Sequence, residues 1–262
     1  MLRRVLLFLS ALILAAGLAQ RFMGQEKLQV TGVASPTTTP IAGAWDETVE
    51  TREITLMPTT WYAIQTGVYT DEQSAALRAE DYTERGAPGV VIGDGAKWRV
   101  LIASFGREED AAAVRANLSG QQGVDTYLYT WVCPELRLRM TGMAGQLDVA
   151  EAGLQQVLTA AERLRDAAID LDMGQITREE VLQLLQDIDA QLGVWSDTAQ
   201  KRFSRPYPAL ITSELGLVSD WSLHRQAIAQ AEDATALSAA LKCHAMQLYE
   251  RVITLRTTLQ SS

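Results

Sequence analysis

Hydrophobic and polar residues alternate with a period of two in several short segments between positions 61 and 131. The clearest example is the segment 61–69, in which two sets of residues would lie on opposite sides of a strand. One set is Tyr62, Ile64 and Thr66, and the other is Trp61, Ala63 and Gln65. An Ala-rich stretch that opens with Asp71 and Glu72 follows, and acidic residues suit the positive end of a helix dipole. The pattern predicts a strand followed by a helix.

The same order of elements occurs a second time. The strand-like segment 98–106 precedes Glu108, Glu109 and another Ala-rich stretch. Between the two units, 90–92 is a short apolar strand, and the glycines on both sides of Asp94 are typical of a hairpin because glycine adopts positive φ at little cost. A last alternating strand runs from 124 to 131. We predict an α+β fold with the order β-α-β-β-α-β, an antiparallel four-stranded sheet with two helices on one face.

From position 145 onward the apolar residues recur in alternating steps of three and four, which marks a long helix with one apolar seam. Thr177 and Glu180 have the spacing of a capping box, so a second helix should begin there after a short turn. Pro206 and Pro208 break the chain, and two more helices are expected in the remainder. This half is predicted to be a helical bundle or an antiparallel coiled-coil hairpin.

Two alternating segments, 50–57 and 136–140, flank the β-α-β-β-α-β unit and suggest added strands. The stretch 33–44 is uncharged and rich in Thr, Ala and Pro, as in an extended tether. The predicted regions are an N-terminal anchor or signal peptide (1–24), a linker with an extra strand (25–58), the β-α-β-β-α-β domain (59–132), a connector or edge strand (133–143) and a helical domain (144–262).

The N-terminal segment carries Arg3 and Arg4, followed by fifteen uncharged residues from Val5 to Ala19. This pattern favours a single-pass membrane anchor, and the alternative is a secretory signal peptide that is cleaved. By the positive-inside rule, the arginines stay in the cytoplasm and the rest of the chain lies outside it. Both alternatives export the folded part, either attached to the membrane or secreted.

Residues in the two strand-helix units resemble the sporulation-related repeat (SPOR) domain, a small peptidoglycan-binding module on the outer side of bacterial inner membranes. The matching residues are Tyr62-Ala-Ile-Gln65-Thr-Gly67 with Tyr69, and Trp98-Arg99-Val100-Leu-Ile102-Ala-Ser104-Phe105 with Glu109 and Ala112. Val68 and Leu101 stand where the family often has a small polar residue and a second Arg. The resemblance implies binding of glycan strands that lack stem peptides, at the septum or the spore envelope, on the sheet face that the helices leave open.

Strand parity indicates which residues lie on that open face. With Ile64 and Val100 toward the helices, their neighbours along each strand point the other way. Aromatic rings can pack on the apolar side of a sugar ring while Gln and Arg supply hydrogen bonds. Trp98 has the parity of Val100 and is included because the resemblance implies a binding role for it. The predicted glycan-binding residues are Gln65, Trp98, Arg99, Leu101, Tyr127 and Tyr129. The alternative is that the strand aromatics pack under the C-terminal helices.

Charge and residue content argue against other functions. The net charge of −9 disfavours nucleic acid as a partner, although single-strand RNA binders share this order of elements. The two histidines, His224 and His244, fall in predicted helices and in no catalytic or metal-binding motif. We therefore expect no enzyme, no cofactor and no metal site. Cys133 and Cys243 lie far apart in the sequence and could be paired or free.

Two functions remain for the chain as a whole. In the first, the protein binds peptidoglycan glycan strands without catalysis and is thereby placed in the cell envelope during division or sporulation. In the second, it is a membrane-anchored scaffold whose SPOR-like domain no longer binds glycan. In both, the C-terminal helices are candidates for contact with a protein partner or for self-association.

Overall fold

A computed structural model describes residues 48–261 of the chain, which contain six strands and six helices. The strands are β1 (Val49–Leu56), β2 (Thr59–Tyr69), β3 (Val90–Gly93), β4 (Trp98–Phe105), β5 (Tyr127–Cys133) and β6 (Leu136–Met143). The helices are α1 (Glu72–Thr83), α2 (Glu108–Gln122), α3 (Ala144–Asp172), α4 (Arg178–Arg202), α5 (Ala209–Ala229) and α6 (Ala234–Ser261).

Four of the strands form an antiparallel sheet in the order β3-β4-β2-β5, with α1 and α2 packed on one face. This confirms the predicted α+β fold. Local signals in the sequence explain the two helix starts: the Asp71 carboxylate accepts a hydrogen bond from the Ser74 N–H at 2.8 Å, and α2 begins with three acidic residues. Helix α1 and helix α2 each connect two strands of the sheet, as the doubled pattern predicts.

The fourth strand of this sheet begins at Tyr127, three residues later than the sequence pattern suggested. Gly123 ends α2 in the left-handed conformation with φ of 63°, and the Val124 N–H donates to the Leu118 carbonyl at 3.2 Å. The backbone just after the helix is therefore used to close it, which is a common helix ending. The Val124 N–H is therefore not available for strand pairing.

Strands β1 and β6 pair with each other in a separate two-stranded antiparallel sheet, with Val49 opposite Met143 and Leu56 opposite Leu136. The sequence indicated both strands but not that they were partners. Their apolar residues point to one side, where Ile54, Leu56 and Leu136 are buried. On the same side, nearer the start of β1, Arg52 pairs with Asp148 of α3 at 2.6 Å.

The four helices α3 to α6 form a bundle, which decides between the two predicted alternatives. The Thr177 hydroxyl accepts from the Glu180 N–H at 3.2 Å while the Glu180 carboxylate accepts from the Thr177 N–H at 2.7 Å, so the capping box forms as predicted. In the core, the Trp195 Nε1–H donates to the Val149 carbonyl at 2.8 Å. The long helix α3 packs against α4, α5 and α6, and it lies at the centre of this half.

The four-stranded sheet has buried cores on both of its faces. One core lies between the sheet and helices α1 and α2, and it includes Ile64, Val100 and Ile102. The other joins the sheet to the bundle and includes Trp61, Leu101 and Trp131 in a continuous cluster with α3 and α6. The prediction that the second face is open is therefore wrong over much of its area, because it is apolar enough to pack against helices of the same chain.

Within residues 48–261 no helix is both long and apolar enough to span a bilayer. The predicted anchor at 1–24 and most of the predicted linker lie outside the described residues. Cys133 is buried and Cys243 is half-buried, and both are free thiols in this structure.

Candidate functional site

The bundle-facing side of the sheet carries a row of paired side chains from β2 and β5. In the register of these strands, Trp61 lies opposite Trp131, Ala63 opposite Tyr129, and Gln65 opposite Tyr127. Directly opposed residues of an antiparallel pair project from the same face, so these six side chains form one surface. We call this surface the aromatic face. The sequence parity placed Gln65, Tyr127 and Tyr129 together correctly.

Strand β4 adds Leu101 and Arg99 to the aromatic face. Leu101 lies opposite Gln65, but the pairing shifts between Ile64 and Gln65 and again between Gln65 and Gly67. Each shift adds an unpaired residue to one strand and re-aims the side chains beside it. The irregularity therefore sits at Gln65, where the two strands present their polar side chains.

Three of the predicted residues meet at the end of the aromatic face. The Arg99 guanidinium donates to the Gln65 Oε1 at 3.3 Å and lies 5.0 Å from the centroid of the Tyr129 ring. It also donates to the Asp94 Oδ2 at 3.2 Å. We call Gln65, Arg99, Tyr129 and Asp94 the polar cluster. It offers both donors and acceptors beside an aromatic ring, which is the combination that a sugar requires.

Asp94 was not among the predicted binding residues, although its sequence context placed it in the β3–β4 hairpin. Its carboxylate accepts from the backbone N–H groups of Lys97 and Ala96 at 2.8 and 3.1 Å. These hydrogen bonds, and then Arg99, hold the pKa of Asp94 below its ordinary value. The turn therefore presents a fixed negative charge that orients Arg99 across the sheet.

Exposure falls steadily along the aromatic residues of β5. Tyr127 is 61% exposed, Tyr129 is half-buried and Trp131 is only 3% exposed. Burial raises the pKa of Tyr129, while Arg99 acts in the opposite direction. Gln65 is only 7% exposed, and its Oε1 accepts a hydrogen bond from Arg99. Only the end of the aromatic face that holds Tyr127 and the polar cluster is therefore accessible.

Three predicted binding residues lie outside the polar cluster: Tyr127, which is exposed at the same end of the aromatic face, Leu101 and Trp98. Leu101 is fully buried in the core shared with the bundle, so no ligand reaches it in this arrangement. Trp98 packs on the opposite side of the sheet with Tyr69, and its ring covers Gly93 so closely that a Cβ there would come within 2.7 Å. Its strand parity places Trp98 on the side of α1 and α2, away from the polar cluster. The binding role that the resemblance implies for it does not fit this position.

Helix α6 covers the buried end of the aromatic face with Tyr249. The Tyr249 ring stacks on Trp61 with 4.0 Å between centroids and only 5° between planes, and it meets Trp131 edge-on at 5.1 Å. Its hydroxyl accepts from the Cys133 N–H at 3.1 Å and donates to the Thr59 carbonyl at 2.7 Å or the Trp131 carbonyl at 3.0 Å. Burial raises the pKa of this phenol strongly.

Two buried arginines of the bundle also contact the SPOR-like unit and the strands beside it. Arg256 of α6 is 1% exposed, and its Nη1 donates to the carbonyls of Met57 and Pro134, at 3.0 Å each. Arg165 of α3 lies 4.6 Å from the Trp61 ring and is paired with Asp166 at 2.7 Å. Sequence parity gave no sign of these partners, because they belong to helices far along the chain.

The described part of the chain contains no group of three or more His, Cys, Asp and Glu side chains that could hold a metal ion. His224 and His244 do meet, with 4.5 Å between ring centroids, on helices α5 and α6. Burial, and then His224, lower the pKa of His244 to about 4. The pair lies beside a cavity lined by Trp221 and Gln247 that has room for about one water molecule.

Comparison with protein families identifies one region of the chain. Residues 58–130, roughly a quarter of the sequence, match the family model described as SPOR domain, which confirms the resemblance noted above. Comparisons with curated proteins and with solved structures found no match. The SPOR family consists of binding domains known for peptidoglycan binding and implies a periplasmic or envelope protein. The β-α-β-β-α-β unit of this chain is a SPOR domain.

Proposed function

We propose that this protein binds peptidoglycan without catalysis, through its SPOR domain, and prefers glycan strands that lack stem peptides. Binding of such strands would place the protein at the septum or the spore envelope. The observation that carries the proposal is the polar cluster, which lies inside the SPOR domain and beside the exposed Tyr127.

The chemistry of the polar cluster suits a glycan. A hexosamine has an apolar ring face that packs on an aromatic side chain, and its hydroxyl and N-acetyl groups need oriented donors and acceptors. Tyr127 and Tyr129 provide the rings, Arg99 provides donors, and Gln65 and Asp94 provide acceptors. The preference for strands without stem peptides rests on the resemblance to the SPOR family.

The remaining parts of the proposal concern the cellular setting. An anchor at residues 1–24 would hold the protein in the bacterial membrane with the SPOR domain on the outer side, where peptidoglycan lies. The alternative is secretion after cleavage of the same segment. The bundle would then extend from the SPOR domain toward a protein partner or a second copy of the chain.

A second candidate function is favoured by the burial of Trp61, Leu101 and Trp131 under α3 and α6. If that contact is permanent, the aromatic face is a structural interface. The protein would then act as a membrane-anchored scaffold with a SPOR domain that no longer binds glycan.

The experiment that separates the two candidates is retention of the purified protein on peptidoglycan sacculi, with and without prior amidase treatment. The first candidate predicts retention on treated sacculi only, and the second predicts none on either. The double variant Arg99→Ala with Tyr127→Ala should lose retention, whereas a control with Arg139→Ala and Leu223→Ala should keep it. Both pairs remove one arginine and one large side chain, and the control pair lies at exposed positions on β6 and α5.

A further inference from the structure

We infer that the bundle masks the SPOR domain of its own chain, because α6 covers the buried end of the aromatic face. A glycan can bind to that end only when α6 moves away. This inference rests on the proposed function and adds a regulatory contact to it. The masked residues are Trp61 and Trp131, which Tyr249 contacts directly, and Leu101, which is buried in the same cluster.

Tyr249 occupies the position that a sugar ring would take on Trp61. It is a flat ring lying almost parallel to the indole at a stacking distance, and its one hydroxyl is hydrogen-bonded to the backbone of β2 and β5. A pyranose on the same indole would offer the same two features, an apolar face and a peripheral hydroxyl. Tyr249 and a sugar residue would therefore exclude each other at this position.

The aromatic residues continue without a break from the accessible to the masked part. Tyr129 and Trp131 have ring centroids 6.5 Å apart, and Trp131 and Trp61 have centroids 6.4 Å apart. Glu250, next to Tyr249 on α6, is also drawn into this contact: burial raises its pKa, and its hydrogen bond with the Trp131 side chain acts in the opposite direction. A glycan that first binds at Tyr127 and the polar cluster would meet α6 as soon as it extended along β5.

The contact contains polar groups that are poorly matched to a permanent core. Among residues 48–261, the Trp61 Nε1–H, the Ser104 hydroxyl opposite Ala63 and the Arg256 Nε–H have no hydrogen-bond partner, although all three are buried. Unpaired buried donors weaken the state in which they are buried. Movement of α6 would return the indole N–H to water or to a sugar hydroxyl, so these defects favour a contact that opens.

The test compares the full-length protein with the variant Tyr249→Ala in retention on amidase-treated sacculi. Removal of a stacked aromatic pair should raise the apparent affinity for the glycan by up to about tenfold. A matched control is Ile228→Ala, which also shortens a fully buried side chain of the bundle but lies on α5. The control should not increase binding, and hydrogen exchange should show new exposure of β5 only in the Tyr249 variant.

The outcomes distinguish the masking from the proposed function. If wild type and Tyr249→Ala are retained equally, α6 does not mask the site and the inference is overturned, while the proposed function stands. If neither is retained, both are overturned. Should Tyr249→Ala not fold, Tyr249→Phe keeps the stacked ring and removes only the hydroxyl; it should give a smaller increase in retention, and no increase would count against masking.

Discussion

The sharpest stability prediction concerns Glu214, whose carboxyl lies fully buried between α3, α4 and α5. Gly153 makes room for it, since a Cβ at that position would lie 2.8 Å from the Glu214 Cδ. Burial raises the pKa of this carboxyl from 4.5 to about 9, against a smaller opposite effect from the backbone of Leu154. Glu214 is therefore a neutral acid in the folded protein at pH 7, and it is ionised in the unfolded chain.

The sign of the pH effect follows from proton binding. Between the two pKa values the folded state holds one proton that the unfolded state has lost, so Glu214 makes the protein less stable as the pH rises from 4.5 toward 9. Each pH unit in that window costs about 1.4 kcal/mol, so the loss between pH 4.5 and 7 is on the order of 3 kcal/mol. Glu214→Gln keeps the size of the side chain and removes the titration.

The assay is urea unfolding of wild type and Glu214→Gln at several pH values from 4.5 to 8. The difference in free energy of unfolding, variant minus wild type, should increase as the pH rises. Between pH 4.5 and 7 it should increase by on the order of 3 kcal/mol. Other titrating groups cancel in this difference. The exposed Glu232→Gln serves as the control for the same substitution at the surface. A pH-independent difference for Glu214→Gln would refute the account of a neutral buried acid.

Three further predictions concern the bundle. Gly153→Ala should destabilise the protein by about 1–3 kcal/mol, because the new Cβ would lie 2.5 Å from the Trp195 ring; a lower urea midpoint measures this, and an unchanged midpoint would contradict the packing. Thr177→Ala removes the hydroxyl that caps α4 and should cost about 1 kcal/mol in the same assay, while Thr258→Ala, at an exposed site on α6, should cost less. Because the pKa of His244 is lowered in the folded protein, its contribution to stability is present above pH 6.5 and is lost as the pH falls toward 4. His244→Gln should therefore make stability depend less on pH between 6.5 and 4. Thermal unfolding of wild type and variant across that range measures this.

Local patterns in the sequence predicted the elements and much of the polar cluster. The alternation in 61–69 put Gln65 on the face of the sheet away from α1 and α2, and the hairpin glycines beside Asp94 set the turn that brings its carboxylate to Arg99. Acidic residues marked the start of α1, and the capping-box pair Thr177 and Glu180 marked the start of α4. These features depend on residues close together in sequence, where spacing alone determines geometry.

The partners of the aromatic face could not be predicted in the same way. Trp61 has the parity of Gln65, so the sequence predicted the side of the sheet on which it lies. The residue that stacks on it is Tyr249, which belongs to α6 and lies far along the chain. A buried Leu101 and an exposed Tyr127 have equally favourable strand patterns, and only the packing of the sheet against the bundle distinguishes them. Likewise, β1 and β6 each looked like a strand, whereas their pairing joins two ends of the folded region.

The central claim is that the polar cluster of the SPOR domain binds glycan strands from which the stem peptides have been removed. The most direct measurement is the dissociation constant of the full-length protein for purified bare glycan strands, compared for wild type and Arg99→Ala. The account predicts saturable binding that is weakened severalfold or more by Arg99→Ala and left unchanged by Arg139→Ala. Absence of saturable binding by wild type, or equal binding by wild type and Arg99→Ala, would contradict it.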